Sequence, residues 1–305
     1  MNPATLSTLR QLFSDRLQEN APLSGYTSAR IGGPCDALLF VRTAEELVTT
    51  VKQLWQMGVP FILLGGGTNV LVGDKGLRGV AIVNRARLVR FDVKTDPPSV
   101  RAESGAMLNT IAQRAGRLGL SGLEWASTIP GTLGGAVYGN AGAFDGDIAG
   151  SLSSIEILHR SFGLETWPVE KMAYSYRNSL LKREAQPVLI LASTLKLERG
   201  EVSTIQAKMR SLSARRRGAQ PPGASMGSTF KNPPGDFAGR LIDAAGLKGK
   251  RIGNAEISSI HANFFINLGQ ANANDMKALI ELARRTVFEK FGLKLELEIE
   301  MVGEW

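Results

Sequence analysis

An α+β fold in two or three domains is what the sequence predicts, on three observations. The chain has 305 residues, more than one small domain needs at about 100 to 200 residues per domain, so each part can bury a core. Its 43% hydrophobic, 21% charged and 7% aromatic content is that of a globular protein, which excludes disorder, collagen and a disulfide knot. Helical spacing and short apolar runs alternate up to about residue 200, where the texture changes.

The elements follow in order. Leu6, Leu9, Phe13 and Leu17 share one helical face, predicting an amphipathic helix over 4–19. Thr43 followed by Glu46 has capping-box spacing, and the helix it starts carries Leu47, Val51, Leu54 and Trp55 before Gly58-Val59-Pro60 stops it. Phe61 to Leu64 reads as a buried strand. Further strands are expected near 79–83, 99–104, 153–159 and 188–197, interrupted by a helix over 107–118 that ends at Gly119. A basic helix over 201–217 then runs into the breaker cluster Pro221-Pro222-Gly223, so a domain boundary is placed near 200. The last third should hold a short helix at 237–245, a strand at 260–267, and a helix at 274–291. That helix has Met276, Leu279, Ile280, Ala283, Val287, Phe288 and Phe291 at helical spacing, stops at Gly292, and leads into a final strand.

No stretch approaches the roughly 18 apolar residues of a membrane helix, and the N-terminus lacks a basic then apolar leader, so a cytoplasmic protein without a membrane partner is expected. The single cysteine, Cys35, cannot form an internal disulfide. With only His159 and His261 beside it, no structural metal site is expected, and redox chemistry would have to come from a bound cofactor. The net charge of +8 would steer an anionic ligand inward, as it would a nucleic acid. Arg215-Arg216-Arg217 is the one dense basic run and has no interleaved aromatics, so no nucleic-acid partner is expected.

Two glycine-rich segments stand out. Gly65-Gly66-Gly67-Thr68-Asn69-Val70 lies between two apolar runs, where backbone amides can form a nest for phosphate oxygens; an ordinary tight hairpin reads equally well. A dinucleotide fingerprint fails, because strand rather than helix follows and Asn84-Arg85 stands where an acidic residue is needed. The segment Ile129-Pro130-Gly131-Thr132-Leu133-Gly134-Gly135-Ala136-Val137-Tyr138-Gly139-Asn140-Ala141-Gly142 has five glycines, each costing about 0.5–1 kcal/mol in a regular element. Close approach to a flat ligand would offset that cost, and a loop packed between sheets is the alternative. Together the segments suit a ligand with an anionic and a planar part, such as FAD or a nucleotide.

These segments, with Ala29-Arg30-Ile31-Gly32-Gly33-Pro34, Ser104-Gly105-Ala106, Tyr176-Arg177-Asn178-Ser179, Gly227-Ser228-Thr229-Phe230-Lys231-Asn232-Pro233, Ala244 to Gly249, His261-Ala262-Asn263-Phe264 and the closing strand, give a chain that resembles the UDP-N-acetylmuramate dehydrogenase family. This family is also called UDP-N-acetylenolpyruvoylglucosamine reductase, and the resemblance runs from about residue 23 to the C-terminus. It implies a two-part FAD-binding region of the vanillyl-alcohol-oxidase type, 1–86 and 87–200, and an α+β substrate-binding domain, 201–305. It also implies a cytoplasmic monomer of cell-wall precursor synthesis, with non-covalent FAD and NADPH as co-substrate. The reaction would convert UDP-N-acetylglucosamine enolpyruvate to UDP-N-acetylmuramate.

By the same resemblance Gly65, Gly66, Gly67, Thr68, Asn69, Val70, Gly105, Ile129, Pro130, Gly131, Thr132, Gly134, Gly135, Asn140, Ala141 and Arg216 would hold the cofactor. Arg177 matches the arginine that binds the enolpyruvyl carboxylate, Ser228 the proton donor and Glu298 the catalytic glutamate. Tyr176, Lys231, Asn232 and His261 would contact substrate. Read without the family, Arg177 is a surface arginine, Ser228 a turn residue, His261 a structural histidine, and Glu296, Glu298 and Glu300 the solvent face of a strand. Two features depart from the family pattern. Gly139 stands where a larger residue, commonly Met, is usual, and the 51-residue spacing from Arg177 to Ser228 resembles the subclass without the tyrosine-bearing lid loop.

Overall fold

A computed structural model describes residues 1–184 and 186–305, and their contacts gather into two units, each discontinuous in sequence. The first comprises Met1–Leu39, Gly67–Ala81 and Arg217–Trp305; the second comprises Phe40–Gly66 and Ile82–Arg216. These cut the chain differently from the expected domains 1–86, 87–200 and 201–305, for reasons visible in the packing. Strand Val70–Val72 pairs in parallel with Glu300–Val302, drawing residues 67–81 to the C-terminus. At the other boundary, Met209 and Ile205 of helix Val202–Ala219 lie against Gly116 of helix Leu108–Arg117, so the basic helix belongs with the residues before it.

In the first unit, helix Pro3–Phe13 starts at Asn2, whose side chain accepts from the Thr5 amide, and buries Leu9 and Phe13. It is shorter than the 4–19 expected. Ser14 takes a positive φ of 42°, and Leu17 enters strand Leu17–Pro22, which pairs antiparallel with Pro34–Val41 from Leu17↔Leu39 to Pro22↔Pro34. Sheet pairing therefore overrides the helical period at Leu17.

The C-terminal part of this unit is an antiparallel sheet ordered Ala224–Ser228, Phe264–Asn267, Ala255–Ile257 and Arg251–Ile252. Met226, Phe230, Ile257 and Phe265 form a core with Leu241 and Ile242 of helix Ala238–Ala244 and Met276, Leu279, Ile280, Ala283 and Val287 of helix Ala273–Phe291. Phe288 and Phe291, expected on the buried stripe, are 49% and 38% exposed. The strand expected at 260–267 begins only at Phe264, because residues before it form a turn closed by the Phe264 amide on the His261 carbonyl. The final strand is likewise limited to Glu300–Val302.

The second unit is built on an antiparallel five-stranded sheet ordered Gly163–Pro168, Leu152–His159, Val188–Lys196, Ser99–Glu103 and Val89–Asp92. Val100, Ala102, Ile155, Ile157 and Leu195 pack with Leu108, Ile111 and Ala115 of helix Leu108–Arg117 and with Leu133 and Val137 of helix Leu133–Gly139. Helix Ala44–Gln56 starts as expected, with the Thr43 hydroxyl accepting from the Glu46 amide at 3.1 Å; the Glu46 carboxylate accepts from the Arg42 amide instead of completing the box at Thr43.

Asp74 links two distant parts of the first unit. Its carboxylate accepts from the amides of Ala273 at 2.7 Å and Asn274 at 3.0 Å, at the start of the helix that Asn272 and Asp275 already close with a capping box. Anionic capping of this kind is worth about 1–2 kcal/mol. Asp74→Ala is expected to lower the stability of this unit by about that amount, read as a lower urea midpoint with an unchanged slope; a midpoint equal to wild type would show the cap to be idle.

Candidate active site

The second glycine segment folds as a short helix, Leu133–Gly139, rather than as a loop. With Gly134, Gly135 and Gly139 among its residues, it has little side chain to hold it, and neighbouring backbone does that work. At its N-terminus the amides of Leu133 and Gly134 donate to the carbonyls of Ala106 and Ser104, both at 2.8 Å. Gly105, between those carbonyls, packs so tightly on Ala86 that a Cβ would come within 2.6 Å of its carbonyl oxygen.

At the C-terminus, four carbonyls are taken by one short segment. The Tyr174 hydroxyl donates to Val137 at 2.8 Å, the Ser179 hydroxyl to Tyr138 at 2.6 Å, and the Arg177 guanidinium to Gly142 at 2.6 Å and Asn140 at 3.4 Å. Asn140, in the left-handed region, returns a bond from its Nδ2 to the Ser175 carbonyl and accepts the Ala149 amide on Oδ1. Gly142 is required for this fit, since a Cβ there would lie 3.2 Å from Arg177 Nη1 and 2.7 Å from the Gly146 carbonyl. Burial pushes the Tyr174 phenol pKa up, with Asp147 adding to the effect, so it remains a donor. Tyr176 is 52% exposed, with the Arg177 guanidinium 5.2 Å from its ring centre. Tyr174 and Ser179 carry this clamp, although the sequence assigns neither a role; their proximity to Arg177 is the available signal.

Gly65 meets the same helix start. A Cβ on Gly65 would fall 2.2 Å from the Thr132 hydroxyl, so the two glycine-rich segments touch at that point. Gly135 and Gly139 face open space: a Cβ on Gly135 meets only Thr132 at 3.7 Å, and one on Gly139 meets nothing within 4 Å. The larger residue usual at position 139 in the resembling family would therefore fit here. Half-buried Ile129 and exposed Pro130 lead to buried Gly131 and Thr132, and Ala141 follows half-buried. Arg216 is half-buried near the end of helix Val202–Ala219, where Arg215 packs over Phe144 at 5.4 Å. Burial alone lowers the Arg216 pKa, and no carboxylate lies against it among the described residues.

Ser228, Glu298, Lys231, Asn232, His261 and the Gly67–Val70 part of the glycine turn belong to the first unit; Arg177, Tyr176 and the remaining predicted cofactor residues belong to the second. Within the first unit, Ser228 and Glu298 are brought close through backbone: the Glu298 amide donates to the Thr229 carbonyl at 2.9 Å. Asn69 fixes Glu298 from the other direction, its Nδ2 donating to the Glu298 carbonyl at 2.9 Å. The segment carrying Glu298 is not a solvent-facing strand. Leu295 and Ile299 are buried and Glu298 is half-buried, while Glu296 alone of its three carboxylates is fully exposed.

The remaining expected substrate residues have structural partners. Asn232 accepts the Ala238 amide at 3.1 Å and so starts helix Ala238–Ala244. Lys231 lies 3.5 Å from the largely exposed carboxylate of Glu296, a weak surface pair. His261 Nδ1 accepts the Asn263 amide at 3.2 Å, its ring packs edge-on to Phe264, and burial holds its pKa below the usual value.

Comparison with known proteins supplies the family. A family profile described as UDP-N-acetylenolpyruvoylglucosamine reductase, C-terminal domain, matches residues 220–302, and one described as FAD binding domain matches residues 34–158. The UDP-N-acetylenolpyruvoylglucosamine reductase of Chloroflexus aggregans is 42% identical over 94% of this chain and 97% of its own length. That of Rubrobacter xylanophilus is 42% identical over 97% of this chain and 98% of its own. The chain belongs to the UDP-N-acetylenolpyruvoylglucosamine reductase family. The crystal structure of the reductase from Thermus caldophilus superposes with a TM-score of 0.80 at 37% identity, covering 94% of this chain and 99% of that one. Membership makes this an α+β, FAD-dependent oxidoreductase, as the sequence predicts. No helix among the described residues is long and apolar enough to cross a membrane.

The residues present fit FAD. Half-buried Arg216 is a guanidinium whose desolvation an anionic ligand would relieve, and Gly135 and Gly139 leave room along a backbone that carries no side chain. Gly65→Ala is expected to lower both the melting temperature and the flavin retained on purification, because the new methyl overlaps Thr132. Combining it with Thr132→Ala should recover part of both. Flavin content and melting unchanged in the single variant would show that the two segments do not need this contact.

Proposed function

We propose that this enzyme catalyses the NADPH-dependent reduction of UDP-N-acetylglucosamine enolpyruvate to UDP-N-acetylmuramate, the reductive step of peptidoglycan precursor synthesis. The names of its relatives support the substrate, and the backbone pairing that holds Ser228–Thr229 against Glu298 is the structural observation that carries the reading. We assign 1–86 and 87–200 to the cofactor, with Arg216 of the basic helix contributing to it, and 201–305 otherwise to the substrate, in a cytoplasmic monomer with no nucleic-acid partner.

The glycine-rich segments and Arg216 would hold FAD, which when bound would supply the hydride, drawn from NADPH, for the far carbon of the enolpyruvyl double bond. The electron pair of that bond then moves toward the carboxylate, giving an enolate-like species that needs a cation beside the carboxylate and an acid at the adjacent carbon. Arg177 is the cation. Its guanidinium is tethered to the carbonyls of Asn140 and Gly142, which fixes the fork in advance of substrate. Ser228 donates the proton, a task a hydroxyl performs only toward a strongly basic carbon in a water-poor site. Glu298, half-buried and held at its amide and carbonyl, acts beside Ser228. Lys231 serves the diphosphate by exchanging its weak pairing with exposed Glu296 for the anion.

Two observations support a non-covalent flavin. Cys35 is fully buried with its thiol pKa pushed up by that burial, which disfavours the nucleophilic thiolate. His159 is committed to a hairpin, its Nδ1 accepting the amides of Ser161 and Phe162.

Stopped-flow measurement of the two half-reactions tests the assignments. Ser228→Ala should leave flavin reduction by NADPH near wild type and slow reoxidation by the enolpyruvyl sugar by about 10²-fold or more. Equal losses in both halves would remove Ser228 from proton donation. Arg177→Lys should slow reoxidation comparably, because one ammonium cannot replace the guanidinium fork; near-normal turnover would remove Arg177 from the site. Reoxidation by oxygen with no response to the sugar would favour an oxidase instead.

A further inference from the structure

The geometry points to Asn263 as the positioning residue that sets Ser228 and Glu298 in register with each other. This rests on the functional reading above and concerns a residue that touches neither reacting group directly. Strand Ala224–Ser228 pairs with Phe264–Asn267 only as far as Ser228↔Phe264, because the partner chain turns away before Phe264. Beyond that pair Asn263 takes over the ladder. Its carbonyl accepts the Thr229 amide at 2.8 Å. Its side-chain amide then acts as one more strand residue toward Phe230, Oδ1 accepting the Phe230 amide at 2.9 Å and Nδ2 donating to the Phe230 carbonyl at 2.8 Å.

The opposite edge of the same three residues is joined to the segment that carries Glu298. The Glu298 amide donates to Thr229, the Lys231 amide donates to the Glu296 carbonyl at 2.9 Å, and Phe230 is bridged to Leu297. Thr229–Lys231 is therefore a short strand held on one edge by Asn263 and on the other by the Glu298 segment. Thr229 and Phe230 are fully buried and Asn263 is 3% exposed, so water does not replace a lost bond. The Asn263 turn is itself braced by His261 Nδ1 at the Asn263 amide. A shift of Phe230 moves both neighbours at once: Ser228 two residues before it, and Glu298 through Thr229.

Both side-chain bonds matter, and aspartate separates them. In Asn263→Asp the carboxylate still accepts the Phe230 amide but places a second acceptor against the Phe230 carbonyl. Once protonated, the carboxyl donates there as the amide does. The titratable groups on the segments packed around this position are His261, whose Nδ1 accepts the Asn263 amide, Lys231, Glu296 and Glu298, and on the neighbouring helix and its flanks the Arg240–Asp236 and Lys248–Asp243 pairs. All are common to wild type and variant, so the ratio of the two rates at each pH cancels their titration.

The test is anaerobic stopped-flow on the flavin-loaded wild type, Asn263→Asp and Asn263→Ala, following reduction by NADPH and reoxidation by the enolpyruvyl sugar from about pH 8 to about pH 5.5, a range in which a buried carboxyl can take up its proton. At the upper pH, Asn263→Asp should reoxidise at least about tenfold more slowly than wild type with reduction unchanged, and its ratio to wild type should climb as pH falls. Asn263→Ala should be slow at every pH. A flat Asp ratio, wild-type reoxidation in both variants, or equal slowing of both halves overturns the inference while leaving the functional reading intact. A wild-type flavin that the sugar does not reoxidise overturns that reading and this inference with it. Should Asn263→Ala fail to fold, the pH dependence of the near-isosteric Asp variant decides alone.

Discussion

A helix with too little side chain to hold itself must be held by its surroundings, and the region around Leu133–Gly139 is organised by that constraint. Three of its seven residues are glycine, so local propensity opposes it and its length gives little cooperativity. Ala106 and Ser104 take its first amides, while Tyr174, Ser179 and Arg177 take carbonyls from Val137 to Gly142. Each bond is worth only about 0.5–1.5 kcal/mol net, but a buried carbonyl left unmade costs more, so the set is cooperative in effect. The consequence is chemical as well as structural. The same bonds that satisfy the helix end fix Arg177, so the rotamer freedom of this long side chain is spent before the substrate contact proposed for it.

The first unit solves a related problem at Ser228 and Glu298. Ser228 and Glu298 are 70 residues apart in sequence, and neither lies within a long strand. They are brought together by backbone pairing at Thr229, by Asn69 at the Glu298 carbonyl, and by the parallel pairing of Val70–Val72 with Glu300–Val302. Main-chain bonds tolerate little displacement, which suits the proton donation proposed for Ser228.

The sequence carried the element types well where one physical signal dominated. The stripe from Met276 to Val287, the Thr43 cap and the Gly119 and Gly292 stops needed only local rules. It misled where tertiary pairing overrode the local period. Leu17 kept helical spacing yet entered a strand, Phe288 and Phe291 continued an apolar stripe past the point where anything covers it, and the alternation from Leu295 to Met301 suggested a long strand where only Glu300–Val302 forms one. The proposed site residues are marked in the sequence by motif and not by chemistry. Nothing local distinguishes Arg177 from a surface arginine, and Asn232 and His261 turn out to have local structural partners whatever else they do. Asn263 and Tyr174 act through backbone carbonyls and amides far away in sequence, a relation that no single-sequence pattern encodes.

The most direct test of this account is the anaerobic visible spectrum of the purified wild-type protein, reconstituted with FAD if colourless, before and after one equivalent of NADPH and then after the enolpyruvyl UDP-sugar. Flavin bands should bleach with NADPH and return when the sugar is added. Bands that bleach and stay bleached would contradict the substrate, and a protein that binds no flavin after reconstitution would contradict the account at its root.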